Sequence, residues 1–520
     1  MSENDINTIK NPEDNKEDIS NSESNEEAKT VQTNENNNEE PKIIQTNAGA
    51  KDGQNKCPKC GSTDISLNPN TGKLRCNFCR HEFDPEKITG METDLHKLNG
   101  EVIGSGAQDI ISDVDDVLTL KCSSCGAEVV IDTSELTQAR CHWCRNTLSI
   151  NEQIPNGSVP DVVLPFKLKK DEAKAEIEIF VGSRRFFAHP QFKKEFTTKN
   201  VMGVYLPYMV VDVNGHSKLS GQGEHLVRRY TRGTDDNKTT YYDADLYDVE
   251  REFDILIDGL TIESSSDKLN NKSTNKTNNI INSIMPFDTE NSAKWNANYL
   301  KGYTSEKRDT NVEQLKGIIG EQAKDIARFQ SNKTLTQYDR GVKWVTEELN
   351  IKGQQWKAAY LPVWLYSYQE VKSGGDKLLH YVAVNARTKE TMGSIPINIP
   401  KLLGVSAIVE VIGIIIAIFL ALTFTDQDYT WAFALSGIIF FAYYYYRYRN
   451  TDARHYHESE TKATMENVQK SDKFVRQLTG LRNSKMNGAN NRSVSNARGN
   501  PITDNLKEFI PEDFHGFLPK

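Results

Sequence analysis

The sequence lacks the short motifs that mark common enzyme classes. It contains neither the phosphate-binding pattern G-x-x-x-x-G-K-[ST] nor the nucleophile pattern G-x-S-x-G. The glycines Gly104 and Gly106 lie in a predicted linker and do not form a phosphate loop. These absences favour a protein that is not an enzyme. Four histidines of the central region are scattered, without a Cys or Ser partner in a recognisable frame: His189, His216, His225 and His380.

The sequence also lacks a cysteine outside C-x-x-C pairs, a net positive charge and a targeting segment. No cysteine lies outside a C-x-x-C pair, which fits a reducing cytoplasm. The formal net charge of −9 argues against a broad nucleic-acid surface. No signal peptide opens the chain, and residues 1–55 are acidic and contain no aromatic residue. This composition predicts a disordered tail over 1–55.

The eight cysteines form two copies of one spacing, C-x2-C-x15-C-x2-C. This spacing predicts two zinc ribbons, over 56–87 and 119–152, each holding one structural Zn²⁺. Disulfides or redox pairs are the competing interpretation, although a redox pair usually occurs alone beside a βαβ pattern. His81 and His142 could replace a cysteine, but four sulfurs already complete a tetrahedron. The predicted metal ligands are Cys57, Cys60, Cys76 and Cys79, and then Cys122, Cys125, Cys141 and Cys144.

Two apolar segments, 402–424 and 430–446, predict a C-terminal transmembrane helical hairpin. Basic residues flank the pair and none lies between the segments, so the positive-inside rule places both termini and the bulk of the chain in the cytoplasm. A buried hairpin in a soluble protein is the alternative. The first segment carries one charge, Glu410. We favour a Glu410 that faces the second helix and is either reached by water or paired with a polar group there, over a functional intramembrane carboxylate.

Residues 160–398 predict a β-rich α+β cytoplasmic domain with two related halves. Val204–Val210 is echoed by Ala359–Leu365, and each apolar strand holds a proline, which suits an edge or a bulge. Helices are expected before the two halves, at 170–187 and 311–329. Five carboxylates alternate with apolar residues and are expected on a half-exposed strand rather than in a catalytic dyad: Asp243, Asp245, Asp248, Glu250 and Glu252.

The remaining segments are predicted to be connections and tails. An acidic linker is expected over 88–118, and a Ser/Asn/Lys-rich surface insertion over 264–279. Residues 450–520 predict a polar cytoplasmic tail, with one helix at 459–481. The expected fold class is therefore multidomain: two four-cysteine zinc ribbons, an α+β domain with related halves, and a transmembrane hairpin.

The first cysteine frame resembles the zinc ribbon at the start of general transcription factor IIB, over 56–83 and more loosely over 120–150. The ribbon, a Leu-Pro-Phe entry, two Tyr-Leu-Pro triplets, the stretch Met285–Asp288 and the terminal apolar helices together resemble a family of bacterial TFIIB-type zinc-ribbon membrane proteins. Members are sometimes mislabelled as primosomal helicases. The resemblance implies work with membrane-stress scaffolds of the phage-shock and flotillin-like kinds. The second ribbon and the acidic tail depart from the simplest pattern.

These observations favour a non-enzymatic, membrane-anchored adaptor that recruits cytoplasmic protein partners to the lipid bilayer, in envelope stress. The alternative is a membrane-tethered regulator that binds nucleic acid through the basic first ribbon. A transporter subunit or an enzyme with an unrecognised site is a third hypothesis.

Overall fold

The computed structural model describes residues 40–46, 57–110, 117–149, 159–233, 238–264, 284–423, 433–449 and 456–482, with short gaps inside several of these ranges. Within 117–149 it describes four strands. The ligands predicted for the second frame lie outside the described residues: Cys122, Cys125, Cys141 and Cys144. Most of the predicted disordered tail, residues 265–279 of the predicted insertion, residues 280–283 and everything after 482 also lie outside them.

The described elements are mostly strands. The helices are α1 (Lys170–Ser183), α2 (Pro190–Glu195), α3 (Val312–Asn332), α4 (Ile399–Thr423), α5 (Ser436–Arg449) and α6 (His457–Glu460). The strands are β1 (Lys42–Ile44), β2 (Ile65–Leu67), β3 (Leu74–Cys76), β4 (Glu82–Phe83), β5 (Gly100–Gly104), β6 (Val117–Lys121), β7 (Glu128–Asp132), β8 (Gln138–Arg140), β9 (Thr147–Ser149), β10 (Val162–Val163), β11 (Met202–Arg232), β12 (Thr239–Glu263), β13 (Ala293–Lys294), β14 (Thr304–Ser305), β15 (Val342–Val371), β16 (Lys377–Asn385), β17 (Thr391–Gly393) and β18 (Lys462–Arg482).

One mixed sheet of eleven strands dominates the fold, with the order β1-β5-β15-β11-β12-β18 along its main path. Two of these strands are very long, since β11 has 31 residues and β15 has 30. At about 3.3 Å per residue, each is roughly 100 Å long. β11 and β12 form one hairpin, and the carboxylate series from Asp243 to Glu252 lies on β12. The prediction of a strand for that series is confirmed.

The two Tyr-Leu-Pro triplets lie opposite each other on adjacent antiparallel strands. Leu206 of β11 pairs with Leu361 of β15. One residue to either side, Tyr205 lies opposite Pro362 and Pro207 lies opposite Tyr360. The two triplets therefore meet about a local two-fold axis through the leucine pair.

β11 and β15 each have an outer neighbour, which is the strand on the side away from their mutual pairing. At each proline this outer neighbour changes from one strand to another. At Pro207 the neighbour of β11 changes from β14 to β12, and at Pro362 the neighbour of β15 changes from β10 to β16. The carbonyl of Pro207 accepts from the N–H of Ser264 at 3.2 Å, and the carbonyl of Pro362 accepts from the N–H of Ala386 at 3.2 Å. The missing proline N–H falls on the same outer side and removes no bond between β11 and β15. Both strands are central, but each proline has a local edge environment.

Both predicted helices are confirmed, as α1 and α3. α3 begins with a capping box, in which Gln314 accepts from the N–H of Asn311 at 2.8 Å. Its apolar face, including Leu315 and Ile319, packs on β-sheet residues such as Phe253 and Trp356. α1 packs at the other end of the sheet, beside β16 and β17. The two helices thus bury different ends of one sheet.

Three segments that were not predicted to be strands are strands of this sheet. β5, inside the predicted linker, runs parallel to Gly353–Trp356 of β15, and β1, inside the predicted disordered tail, pairs with β5. β18 is antiparallel to β12, where the sequence predicted a helix at 459–481 in a polar tail. The helix prediction was wrong because the partner edge that provides the hydrogen bonds to β18 comes from a distant part of the chain.

Asp161 fastens the N-terminal segments to the sheet. Its side chain is fully buried and accepts hydrogen bonds from the hydroxyl of Thr46 at 2.6 Å, the N–H of Gly106 at 2.7 Å and the N–H of Ala358 at 2.8 Å. Burial raises the pKa of Asp161, although these three donors oppose the shift. One carboxyl group therefore joins three chain segments that are far apart in sequence.

The two glycines of the predicted linker allow this close approach. A Cβ on Gly104 would overlap the Asp161 carboxylate, and a Cβ on Gly106 would lie 2.5 Å from the carbonyl oxygen of Val159. The Gly104–Gly106 stretch is a packed contact and not a linker.

Replacing Asp161 by Asn should lower the free energy of unfolding by about 1–3 kcal/mol, because the amide N–H₂ would face a backbone N–H at one of the three contacts. Denaturant unfolding of the purified chain measures the change. Asp171→Asn is the matched control, since the Asp171 side chain is 90% exposed and should tolerate the change within about 0.5 kcal/mol. Equal effects of the two substitutions would contradict the anchoring role of Asp161.

Candidate metal centre and apolar helix

The first four cysteines come together at one end of a small antiparallel sheet, β2-β3-β4. The four sulfur atoms all lie within 4.8 Å of one another. The Sγ atoms of Cys57 and Cys79 are 3.5 Å apart, and those of Cys60 and Cys76 are 3.6 Å apart. We call residues 57–84 the first cysteine unit. The structure therefore brings together every ligand that the sequence predicts for the first frame.

The two C-x-x-C turns of the unit have the same backbone hydrogen bonds. The N–H of Gly61 donates to the carbonyl of Cys57 at 2.8 Å, and the N–H of Arg80 donates to the carbonyl of Cys76 at 3.0 Å. Both donors have left-handed backbone angles, with φ of 73° at Gly61 and 63° at Arg80. The same fold of the chain is thus used twice, once with glycine and once with arginine at the strained position.

The donor set fits a tetrahedral metal ion. A zinc ion with bonds of about 2.3 Å holds its four sulfurs roughly 3.8 Å apart, close to the two short separations seen here. His81 is not part of the group, because its ring stacks on Phe83 with ring centroids 6.2 Å apart. Four sulfurs complete the coordination, so the site leaves no position for a substrate.

The local backbone favours thiolate at part of the site. Burial raises the pKa of Cys76, but the backbone N–H groups of Cys79 and Phe78 outweigh it and the pKa falls to about 6. The backbone N–H of Ser62 lowers the pKa of Cys60, whereas burial and the neighbouring sulfurs raise it to about 12. Four clustered thiols cannot all ionise unless a cation neutralises them, which is the chemistry a metal ion supplies.

The first cysteine unit is not a free module. Ile65 and Leu74 are fully buried and belong to the same apolar cluster as Trp295 and Tyr299 of the main domain. The chain after the unit is also held, because the N–H of Lys294 donates to the carbonyl of Glu86 at 2.7 Å. A metal ion that orders this unit therefore also supports the core beneath it.

The second frame is described only through its strands. β6 pairs with β7 and β8 pairs with β9, both antiparallel, and one predicted C-x-x-C pair lies in the sequence between the strands of each pair. The scattered histidines do not converge, and the side chains of His216, His225 and His380 each contact a different partner. His216, for example, lies 3.0 Å from a carboxylate oxygen of Asp254, and His380 lies 3.1 Å from the hydroxyl of Ser394.

One helix is long and apolar enough to cross a membrane. The window Ile399–Leu420 of α4 has a mean hydropathy of 2.7 and is only 17% buried. α5 packs antiparallel to α4, and Gly413 and Gly437 allow the close approach, since a Cβ on either would overlap the other helix. The carboxylate of Glu410 accepts from the N–H of Gly437 at 2.6 Å. The favoured prediction for Glu410 is confirmed: it faces the second helix and satisfies a polar group at its N-terminal end.

The first cysteine unit offers a stabilising substitution. Arg80→Gly should stabilise the unit by about 1 kcal/mol, because glycine adopts φ near 63° without the steric cost that other residues pay. This corresponds to roughly fivefold slower loss of the bound metal to a chelator. Arg80→Ala removes the same charge and keeps the backbone strain, so it should not slow the loss. An equal effect of alanine and glycine would show that the charge, and not the backbone, sets the rate.

The metal site and the apolar helix have to be interpreted from the chain itself. Comparison with known proteins finds no matching family model, curated protein or solved structure. The resemblance to TFIIB-type membrane proteins thus remains a prediction from sequence motifs.

Proposed function

We propose that the chain is a non-enzymatic adaptor that is anchored in the membrane by a helical hairpin and carries two structural zinc ribbons. The observation that carries this proposal is the path of the chain around α4 and α5. The chain leaves the main sheet before Ile399 and returns to the same sheet as β18. An apolar helix of membrane length is therefore inserted between two parts of one folded domain.

This path supports an even number of membrane crossings. Because β18 pairs with β12, the segments before and after the helices lie on the same side of any bilayer. α5 has 14 residues and is about 21 Å long, so a second crossing has to include residues before Ser436. The flanking basic residues favour the cytoplasm as the shared side. We therefore propose that both termini are cytoplasmic, which is consistent with cysteines that hold zinc.

Zinc is the ion we propose for both cysteine frames. Four thiolates in a tetrahedron are a common structural zinc site, and the two frames share one spacing. The ribbons would act as folded supports on the cytoplasmic face, and the long sheet would present a surface to protein partners. The sequence resemblance suggests scaffolds of the phage-shock or flotillin-like kinds as those partners.

The charges of the first cysteine unit favour an adaptor over a nucleic-acid regulator. The predicted ribbon that contains this unit, residues 56–87, has six basic and four acidic residues. Lys73 lies 3.2 Å from a carboxylate oxygen of Asp84, and Arg75 lies 4.0 Å from one of Glu82. Cations that are paired inside the unit contribute little to phosphate binding.

The full chain should bind two zinc ions. Elemental analysis of the purified protein gives the count, and Cys57→Ser or Cys122→Ser should each reduce it to one, because three thiolates hold zinc less tightly than four. His81→Ala is the control and should keep both ions. A count near zero with all cysteines in disulfides would contradict both sites.

Removing the hydrophobic parts of α4 and α5 should release the chain from membranes without unfolding it. Replacing residues 407–438 by a Gly/Ser linker keeps Leu402, Tyr444 and Tyr448, which contact the domain core. The variant should appear in the soluble fraction, keep its zinc and still co-purify with the protein partners of the parent chain, because an anchor contributes only apolar burial in lipid. Partner capture that survives while membrane recruitment is lost supports the adaptor.

Nucleic-acid binding by the parent chain would contradict the adaptor hypothesis. If the parent chain binds DNA or RNA tightly and with strong salt dependence, and if reversing Lys73 and Arg75 to Glu abolishes the binding, the regulator hypothesis replaces the adaptor.

A further inference from the structure

A basic and aromatic surface lies at the base of the helical hairpin. Phe186, in the turn after α1, is 60% exposed. The Nζ of Lys401 lies 3.8 Å from the centre of the Phe186 ring and donates to the Phe186 carbonyl at 2.8 Å. The Nζ of Lys193 on α2 donates to the same carbonyl at 3.3 Å. We call Arg185, Phe186, Lys193 and Lys401 the base patch.

The base patch brings together three cations that have no ion-pair partner among the described residues. Burial lowers the pKa of Lys193, and the charges of Lys401 and Arg185 lower it further. Within the part of the chain that the structure describes, no ion pair involves any of these three cations. Elsewhere on the domain, exposed lysines such as Lys218 and Lys352 lie against carboxylates. A group of like charges held together by the fold is stabilised when an anion binds it.

The patch is continuous with the helix that we propose to span the membrane. Lys401 is the third residue of α4, at the start of its apolar window. The turn that carries Phe186 is fixed to α5 as well, because the N–H of Phe187 donates to the hydroxyl of Tyr448 at 2.9 Å. With α4 across the bilayer, the base patch lies at the level of the lipid headgroups, where aromatic rings and lysines are favoured.

We infer that the base patch binds the headgroups of anionic phospholipids, with the Phe186 ring inserted at the membrane interface and the three cations on lipid phosphates. This inference rests on the proposed membrane anchoring and adds lipid selectivity to it. In this inference, the turn between α1 and α2 contacts the bilayer surface and orients the domain on it.

The test uses the full chain with Phe186→Trp, reconstituted in phosphatidylcholine vesicles. The vesicles contain brominated phosphatidylglycerol or brominated phosphatidylcholine at equal mole fraction, and the parent chain's tryptophan signal is subtracted. Bromine quenches tryptophan at contact, so quenching reports which lipid surrounds position 186.

A cation at an anionic membrane surface contributes about 1 kcal/mol, so we expect roughly fivefold enrichment of phosphatidylglycerol over phosphatidylcholine. Lys193→Glu or Arg185→Glu in this background should bring the enrichment close to one.

Two controls lie far along the sheet. Lys473 pairs with Asp248, which pairs with Gln222, about 20 residues or roughly 66 Å along β11 from Met202. Lys473→Glu makes the same charge change and should leave the enrichment intact. Phe474→Trp, at a ring that is 58% exposed, should not be quenched by either lipid.

The outcomes separate the inference from the proposal beneath it. If the parent chain fails to float with vesicles, the membrane anchor is overturned. If the chain floats but the Phe186→Trp signal is not quenched, or is quenched equally by both lipids, the anchor stands and the lipid site is overturned.

Discussion

The antiparallel pairing of β11 with β15 is the interaction on which the rest of the structure depends. It extends from Met202 opposite Leu365 to Gly223 opposite Val342, and the leucine pair lies near the Met202 end. The other strands on the main path of the large sheet add to these two. β12 and β18 extend the sheet beyond β11, and β5, β10 and β16 extend it beyond β15. The N-terminal segments then join through the Asp161 contact to Ala358.

The metal site is energetically coupled to this sheet. A unit of some thirty residues buries too little apolar surface to be stable alone, so a bound metal ion would contribute to its folding. In this chain the two core residues of the unit, Ile65 and Leu74, pack into the cluster that also holds Tyr205 and Tyr360 of the central pair. A metal ion bound by the four cysteines would therefore stabilise one end of the main sheet as well as the unit itself. A ribbon on a free linker could not have this effect.

The sequence predicted well the features that arise from local pattern. The first four-cysteine group follows from spacing and α4 from apolar length, and α1 and α3 were expected before the two predicted halves. The features it missed depend on contacts between distant residues. Nothing within Lys462–Arg482 identifies it as a strand, because its pairing partner is the edge of β12. Similarly, Asp161 and Gly106 are ordinary residues in sequence, and only the fold shows that one accepts a hydrogen bond from the other. The base patch combines residues from α2, α4 and the turn after α1, and no local pattern joins them.

Because the chain returns to the sheet as β18, the sheet is completed late in biosynthesis. Synthesis proceeds at about 5–20 residues per second, and about 200 residues separate the end of β12 from the end of β18. For some tens of seconds, β12 therefore exists on the ribosome-bound chain with a long unpaired edge, which is a template for aggregation. During the same interval α4 and α5 emerge, and under the proposed anchoring they have to reach the membrane. Completion of the sheet thus waits for the hairpin, and a failure of membrane insertion would leave an incomplete sheet for chaperones and proteases to recognise.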